Sequence, residues 1–224
     1  MHGMAHDIGL EDARPTAPGE ENRRAWLEVS GLAFDRAERR CCFLKELYDS
    51  DHKKEALLLC LCYIDGLACY GWPEIRGSKR RFVHVLARHG GDATLADISP
   101  SWLLRALRQL KSYNALAGEI EPVLGGVEGR LHQPNEILNL LRPDITADEV
   151  KRLSKELWRG SLAAIAYEEL RCALVHELFA VDGIRFEPRD SPGEALTLDF
   201  RMLYRYLQRL LPIAWQRFMD REGL

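Results

Sequence analysis

Apolar residues recur at helical spacing through most of this chain. Between Trp26 and Tyr48 they fall at Trp26, Val29, Ala33, Ala37, Leu44 and Leu47, with Arg36, Glu38, Arg39 and Arg40 among the charged positions. That stripe predicts an amphipathic helix. Asp49-Ser50 supplies an N-cap for a second helix, His52 to about Tyr70, which Gly71, Trp72 and Pro73 end. Leu57, Leu58, Leu59, Leu61, Tyr63, Ile64 and Leu67 make that helix apolar on nearly every side. It is therefore expected at the centre of a bundle.

Ser78 can cap a third helix, Lys79 to His89, closed by Gly90-Gly91. Ser99-Pro100 places a cap and a first-turn proline before Ser101 to Tyr113. From Gly118 to Pro134 the pattern dissolves into glycine, proline and polar residues, which predicts a long connection. Asn135 to Leu141 is a short helix stopped before Pro143. Thr146 and Glu149 have the spacing of a capping box and start Ala147 to Trp158. Gly160-Ser161 breaks the chain before a helix from Leu162 to about Ala180. Ile184 and Phe186, the turn Asp190-Ser191-Pro192-Gly193, then Leu196 and Leu198 predict a small β-hairpin. Asp199 caps a last helix to about Arg221, with a kink expected at Pro212. The fold class expected is all-α, with one small hairpin before the C-terminal helix. Residues 1–20 are expected as a mobile tail and 21–224 as a single domain.

Length and charge narrow the functions. At 224 residues the chain can bury a substantial core. A net charge of -3 creates no global attraction for nucleic acid or membrane, so any nucleic-acid site must be a local basic patch. The longest nearly uninterrupted apolar run, Ala56 to Ile64, is far shorter than the roughly 18 residues a bilayer span requires. With no apolar leader in Met1 to Gly19, a soluble, cytoplasmic protein is expected. Cys41, Cys42, Cys60, Cys62, Cys69 and Cys172 form no C-x-x-C, so buried reduced thiols are expected and no metal or cofactor. Gly125-Gly126 lacks the Lys and Ser/Thr of a phosphate-binding loop.

The candidate chemistry lies at Arg171 to His176, R-C-A-L-V-H. Arginine holds its positive charge while a phosphate gathers negative charge. Histidine, with an ordinary pKa near neutrality, can move a proton. Together they suit RNA transesterification, in which a 2′-hydroxyl attacks the adjacent phosphate. On an α-helical wheel the two lie about 140° apart, on the half facing away from Leu162, Ala166, Leu170, Leu174 and Leu178. One histidine is poorly placed to be both base and acid, so a second copy from a dimer partner would complete the site. The ordinary structural alternative is a Glu168–Arg171 ion pair with His176 near a helix C-terminus.

Asp65, a charge within the apolar second helix, could orient His176 or Arg171, or bond a tyrosine or backbone group. Lys79, Arg80 and Arg81, with Lys53 and Lys54, could hold RNA backbone or form a solvated helix start. His84 and His89 are expected as helix-surface residues. Ile165, Val175 and Phe179 fall on the Arg171 side of the wheel and suggest cover by a second subunit or by the Gly118 to Pro134 connection.

A buried second helix with an embedded acid, a later helix with R-x4-H, then a hairpin and a closing helix resembles the HEPN superfamily (higher-eukaryote and prokaryote nucleotide-binding domains). The matching stretches are Lys53 to Tyr70, Leu162 to Ala180 and Ile184 to Phe218. Arg171 to Glu177 is similar to the superfamily's signature. The resemblance implies a HEPN-like bundle, a homodimer with facing motifs, and metal-independent RNA cleavage by Arg171 and His176. Asp65, Glu168 and Cys172 would support the pair, and Lys79, Arg80 and Arg81 would contact RNA. It also implies toxin–antitoxin or defence settings, with an antitoxin as a possible protein partner. Cys172 departs from the small polar residue common after that arginine. This favours the alternative of an inactive module that binds RNA, a nucleotide or a protein. Residues 79–141 have no counterpart and are expected as a helical insertion.

Overall fold

The computed structural model describes residues 18–172, 184–186, 196–198 and 200–222. Its helices are α1 (Pro18–Asp49), α2 (Lys53–Gly71), α3 (Ser78–His89), α4 (Pro100–Arg108), α5 (Asn114–Gly125), α6 (Pro134–Leu141), α7 (Ala147–Ser154), α8 (Leu162–Ile165) and α9 (Phe200–Glu222). A π-helical segment, Ala166–Cys172, continues α8. Two three-residue strands, Ile184–Phe186 and Leu196–Leu198, pair antiparallel with Arg185 opposite Thr197. The architecture is an all-α bundle. No described helix is long and apolar enough to cross a membrane.

The chain forms two compact units, Met1–Arg36 and Ala37–Leu224, with the boundary inside α1. In the first unit Val29, one member of the expected apolar stripe, is exposed, while Ser30 and Phe34 are buried. In the second, Cys41 and Leu44 are the buried positions of α1.

α2 packs along α9 and against α3. Ala56, Cys60, Leu61, Ile64 and Ala68 are fully buried, a helical stripe rather than a helix buried all round. Cys62, Cys69 and Tyr70 are exposed on the remaining side. The crossing with α9 is close because Gly71 has no side chain: a Cβ there would lie 3.1 Å from Ala214 Cα. α9 continues through Pro212. Asp199 and the turn Asp190–Gly193 lie outside the described residues.

A second core begins at Ile98 and runs through α4, α5, α6 and α7 to Leu157, filled by Leu103, Leu107, Ile120, Leu124, Ile137 and Leu153. Its limits differ from the expected 79–141 insertion, because α3 packs on α2 and α8 in the main bundle. The expected Gly118–Pro134 connection is corrected as well. α5 occupies its first half despite Pro122, because Leu116, Ala117, Ile120 and Leu124 fall on one face and bury together. Packing of an apolar face overrides weak local propensity.

The local signals held where neighbouring residues make the bonds. The Thr146 hydroxyl accepts from Glu149 N, and the Glu149 carboxylate accepts from Thr146 N at 2.8 Å. This capping box satisfies backbone N–H groups that the first turn of α7 leaves without helical partners. α2, by contrast, follows His52 without a side-chain cap, and Asp49 instead pairs with Lys45. Ser78 is the first residue of α3, not its cap; Gly77, at φ 86°, precedes it.

Candidate functional site

The segment that carries Arg171 is positioned by backbone bonds at its start. Ser99 N donates to Gly160 O at 2.9 Å, and Leu162 N donates to Asp97 O at 3.0 Å. Ile98 also exchanges bonds with His132, whose buried ring bonds Val127 O. Gly160 fits because it lacks a Cβ, which would stand 2.7 Å from Leu103 Cβ. Ser161 then caps α8, accepting from Ala164 N and donating to Trp158 O. The expected break at Gly160-Ser161 is therefore a built corner.

Leu162 to Tyr167 are all buried. Ile165, expected on the outward face beside Arg171, is 1% exposed within its own chain. The reason is geometric: α8 is a single short turn wedged against α3, and the next residues bond i to i+5. The 100° wheel does not carry through Ala166–Cys172. Arg171 and Cys172 belong to this π segment by backbone; their side chains, and all of His176, lie outside the described residues. Val175 and Phe179 lie outside them too.

Of the expected site residues, Lys79 and Glu168 are brought together. The Lys79 ammonium donates to a Glu168 carboxylate oxygen and lies 5.8 Å from the Trp158 ring centroid. Glu168 forms an ion pair with α3, and the side chain of Arg171, its expected neighbour, lies outside the described residues. Beside this pair, Ser78 Oγ and Tyr167 Oη share a 3.2 Å hydrogen bond, and Phe82 meets the Tyr167 ring edge-on at 5.2 Å. Lys79 is thus paired with a carboxylate at a part-exposed position. Arg81 donates its Nε to Ile75 O at 3.0 Å, and Arg80 is exposed. The expected three-cation patch is therefore divided among three environments. Asp65 is half-buried on α2, the helix that also contacts the π segment.

The thiols divide as well. Cys41 and Cys60 are buried, and burial pushes Cys41 up to about 11 and Cys60 higher still. Cys42, Cys62 and Cys69 are exposed, correcting the expectation of uniformly buried thiols. No cluster of metal-ligating side chains forms among the described residues.

Sequence reasoning missed a cluster at the far end of α3. His89 meets the Trp72 ring at a tilt with centroids 4.8 Å apart, and the His84 and His89 rings are 6.3 Å apart. Both imidazoles are half-buried, not plain surface residues. The Arg217 guanidinium lies 5.0 Å from the Trp72 ring centroid and bonds Gly71 O and Glu74. Burial, then Arg88, holds the His84 imidazole below its ordinary range; burial, then Arg217, does so for His89. A His-x4-His spacing on α3 was the one visible signal, since Arg217 is far away in sequence.

A second polar junction joins α9 to the turn after α3. Tyr206 donates to Asp92 at 2.9 Å, and Arg209 donates to Gly91 O. Burial works against the Asp92 charge, yet hydrogen bonds from Thr94 and Tyr206 outweigh it and hold the carboxyl below its ordinary range.

No family model, curated protein or solved structure matches this chain.

Proposed function

We propose that this chain is a HEPN-like metal-independent endoribonuclease, in which Arg171 holds the scissile phosphate and His176 moves the proton of the attacking 2′-hydroxyl. The observation that carries this reading is the π-helical segment Ala166–Cys172. Helical stretches of this kind are rare and occur frequently at functional sites. Here one follows the single turn of α8 that starts at a pinned corner, and it contains the arginine of the R-x4-H motif. The all-α setting and the packing of α2 against that segment also support it. In this reading two copies associate, each adding a histidine near one phosphate, with a small β-hairpin ahead of the closing helix. An antitoxin or other protein partner and a cytoplasmic setting belong to the same proposal.

The test is incubation of purified protein with mixed RNAs in EDTA. Cleavage that leaves 2′,3′-cyclic phosphate ends and disappears in His176→Ala supports the reading. Cleavage that survives that substitution overturns it, and so does an active protein that light scattering finds monomeric.

A second reading, an inactive RNA-, nucleotide- or protein-binding module, is favoured by the Lys79–Glu168 pair and by Cys172 after the arginine. It predicts tight binding without turnover over many RNA substrates.

A further inference from the structure

The C-terminal end of α3 gathers cationic and imidazole groups around one aromatic ring. His84 and Arg88 are four apart on a single face of α3, and His89 follows at its last position. α9 adds Arg217, whose guanidinium shares the Trp72 ring with His89. Trp72 is fully buried and its Nε1 has no hydrogen-bond partner among the described residues, so the ring acts here as a rigid wall. The carboxylate that faces His84 is Glu74, already bonded to Arg217 Nη2 at 2.8 Å. Among the described residues, Glu74 is the carboxylate set against two arginines and two imidazoles.

We propose that His84, Arg88, His89 and Arg217 form a binding site for the phosphate group of a nucleotide or RNA. Arg88 is exposed and can turn its guanidinium fork onto a phosphate. Arg217 is held by Gly71 O and Glu74, so its charge is fixed at the edge of the site. The imidazoles supply donors once protonated. A tetrahedral anion with more than one charge matches this set better than a carboxylate, because Glu74 already takes the single-charge place. The depressed imidazoles make binding proton-linked: His84 faces Arg88, His89, Glu74 and Arg217, and an added anion reverses the balance that disfavours its charge. The site is independent of Arg171 and His176.

Sodium sulfate is a suitable first probe, since its charge stays constant over the pH range in which imidazoles titrate. Histidine NMR spectra of the full chain should show the His84 and His89 resonances moving with sulfate and their titration rising toward higher pH. Exposed His52 and buried His132 should stay in place. Sulfate affinity should fall about tenfold from about pH 5.5 to about pH 7.5. Arg88→Ala, an exposed change that leaves the core alone, should weaken binding roughly tenfold. Oligouridylates with a 5′-phosphate or a 5′-hydroxyl, competed against sulfate, then distinguish the source. Preference for the former names a terminal monoester, and equal competition names the RNA backbone. The proposal is overturned if His84 and His89 ignore sulfate, if Arg88→Ala binds it unchanged, or if neither oligonucleotide competes.

Discussion

The two ends of α3 handle charge in opposite ways. At the N-terminal end, Lys79 meets Glu168 beside the Ser78–Tyr167 hydrogen bond, so each charge has its complement. At the C-terminal end, His84, Arg88, His89 and Arg217 crowd together with Glu74 as the facing carboxylate. The first arrangement ties the π segment to the bundle and leaves little field for a ligand. The second leaves uncompensated positive potential at a partly buried surface, where water screens it less than in bulk. A chain of net charge -3 can thus carry a local anion-attracting patch. The contrast teaches that basic residues in a row are a poor guide to such a patch. The consecutive Lys79, Arg80 and Arg81 disperse, while residues from α3 and α9 converge.

The largest effect is expected from removing the core that holds both ends. Phe82 is fully buried in the middle of α3 and touches Tyr167. Phe82→Ala should cost about 3–5 kcal/mol in urea denaturation. A wild-type midpoint in that variant would mean that the two ends are not supported by one core.

A smaller effect separates the ends. Glu168→Gln should destabilise by about 0.5–1 kcal/mol at low salt, since the pair is part-exposed, and molar salt should erase most of the loss. Arg88→Ala at the other end should leave stability unchanged near neutral pH and raise it only in acid, where His84 is protonated and Arg88 opposes its charge. Equal destabilisation by both substitutions would contradict the difference drawn between the ends.

The smallest effect is in pH dependence. Both imidazoles are held below their ordinary value in the folded state. Their contribution to stability is therefore present above an unfolded pKa of about 6.5 and is lost as pH falls through the lower folded values. Thermal midpoints should decline on acidification below about pH 6.5, and His84→Gln should flatten that decline. A decline of the same slope in His84→Gln would assign it to other groups.

Much of the local fold was legible. Thr146 with Glu149, Ser99 with Pro100 and Gly160 with Ser161 mark helix starts and breaks that the structure contains. The α5 helix was not legible, because Gly118 and Pro122 speak against it locally and its support is the core around Ile120 and Leu124. The wheel drawn through Arg171 presumed α geometry, whereas Ala166–Cys172 bonds one residue further on. Single-sequence periodicity cannot register that shift, since the apolar residues before and after it still read as helical. Arg171 and His176 were picked out as residue types suited to one chemistry, and their relative placement lies outside the described residues.

By itself, the sequence determined the all-α class, the order of most helices and several of their ends, because caps, turns and i-to-i+4 bonds use residues close along the chain. Charges distant in sequence meet only through packing of the helices. Lys79 reaches Glu168 across 89 positions, and Arg217 reaches Glu74 across 143. Such partners depend on how α3 and α9 lie against their neighbours, and burial of Leu86, Leu210 and the residues around them sets that placement. Apolar burial is non-directional along the chain, so it fixes neighbours in space that no local pattern announces.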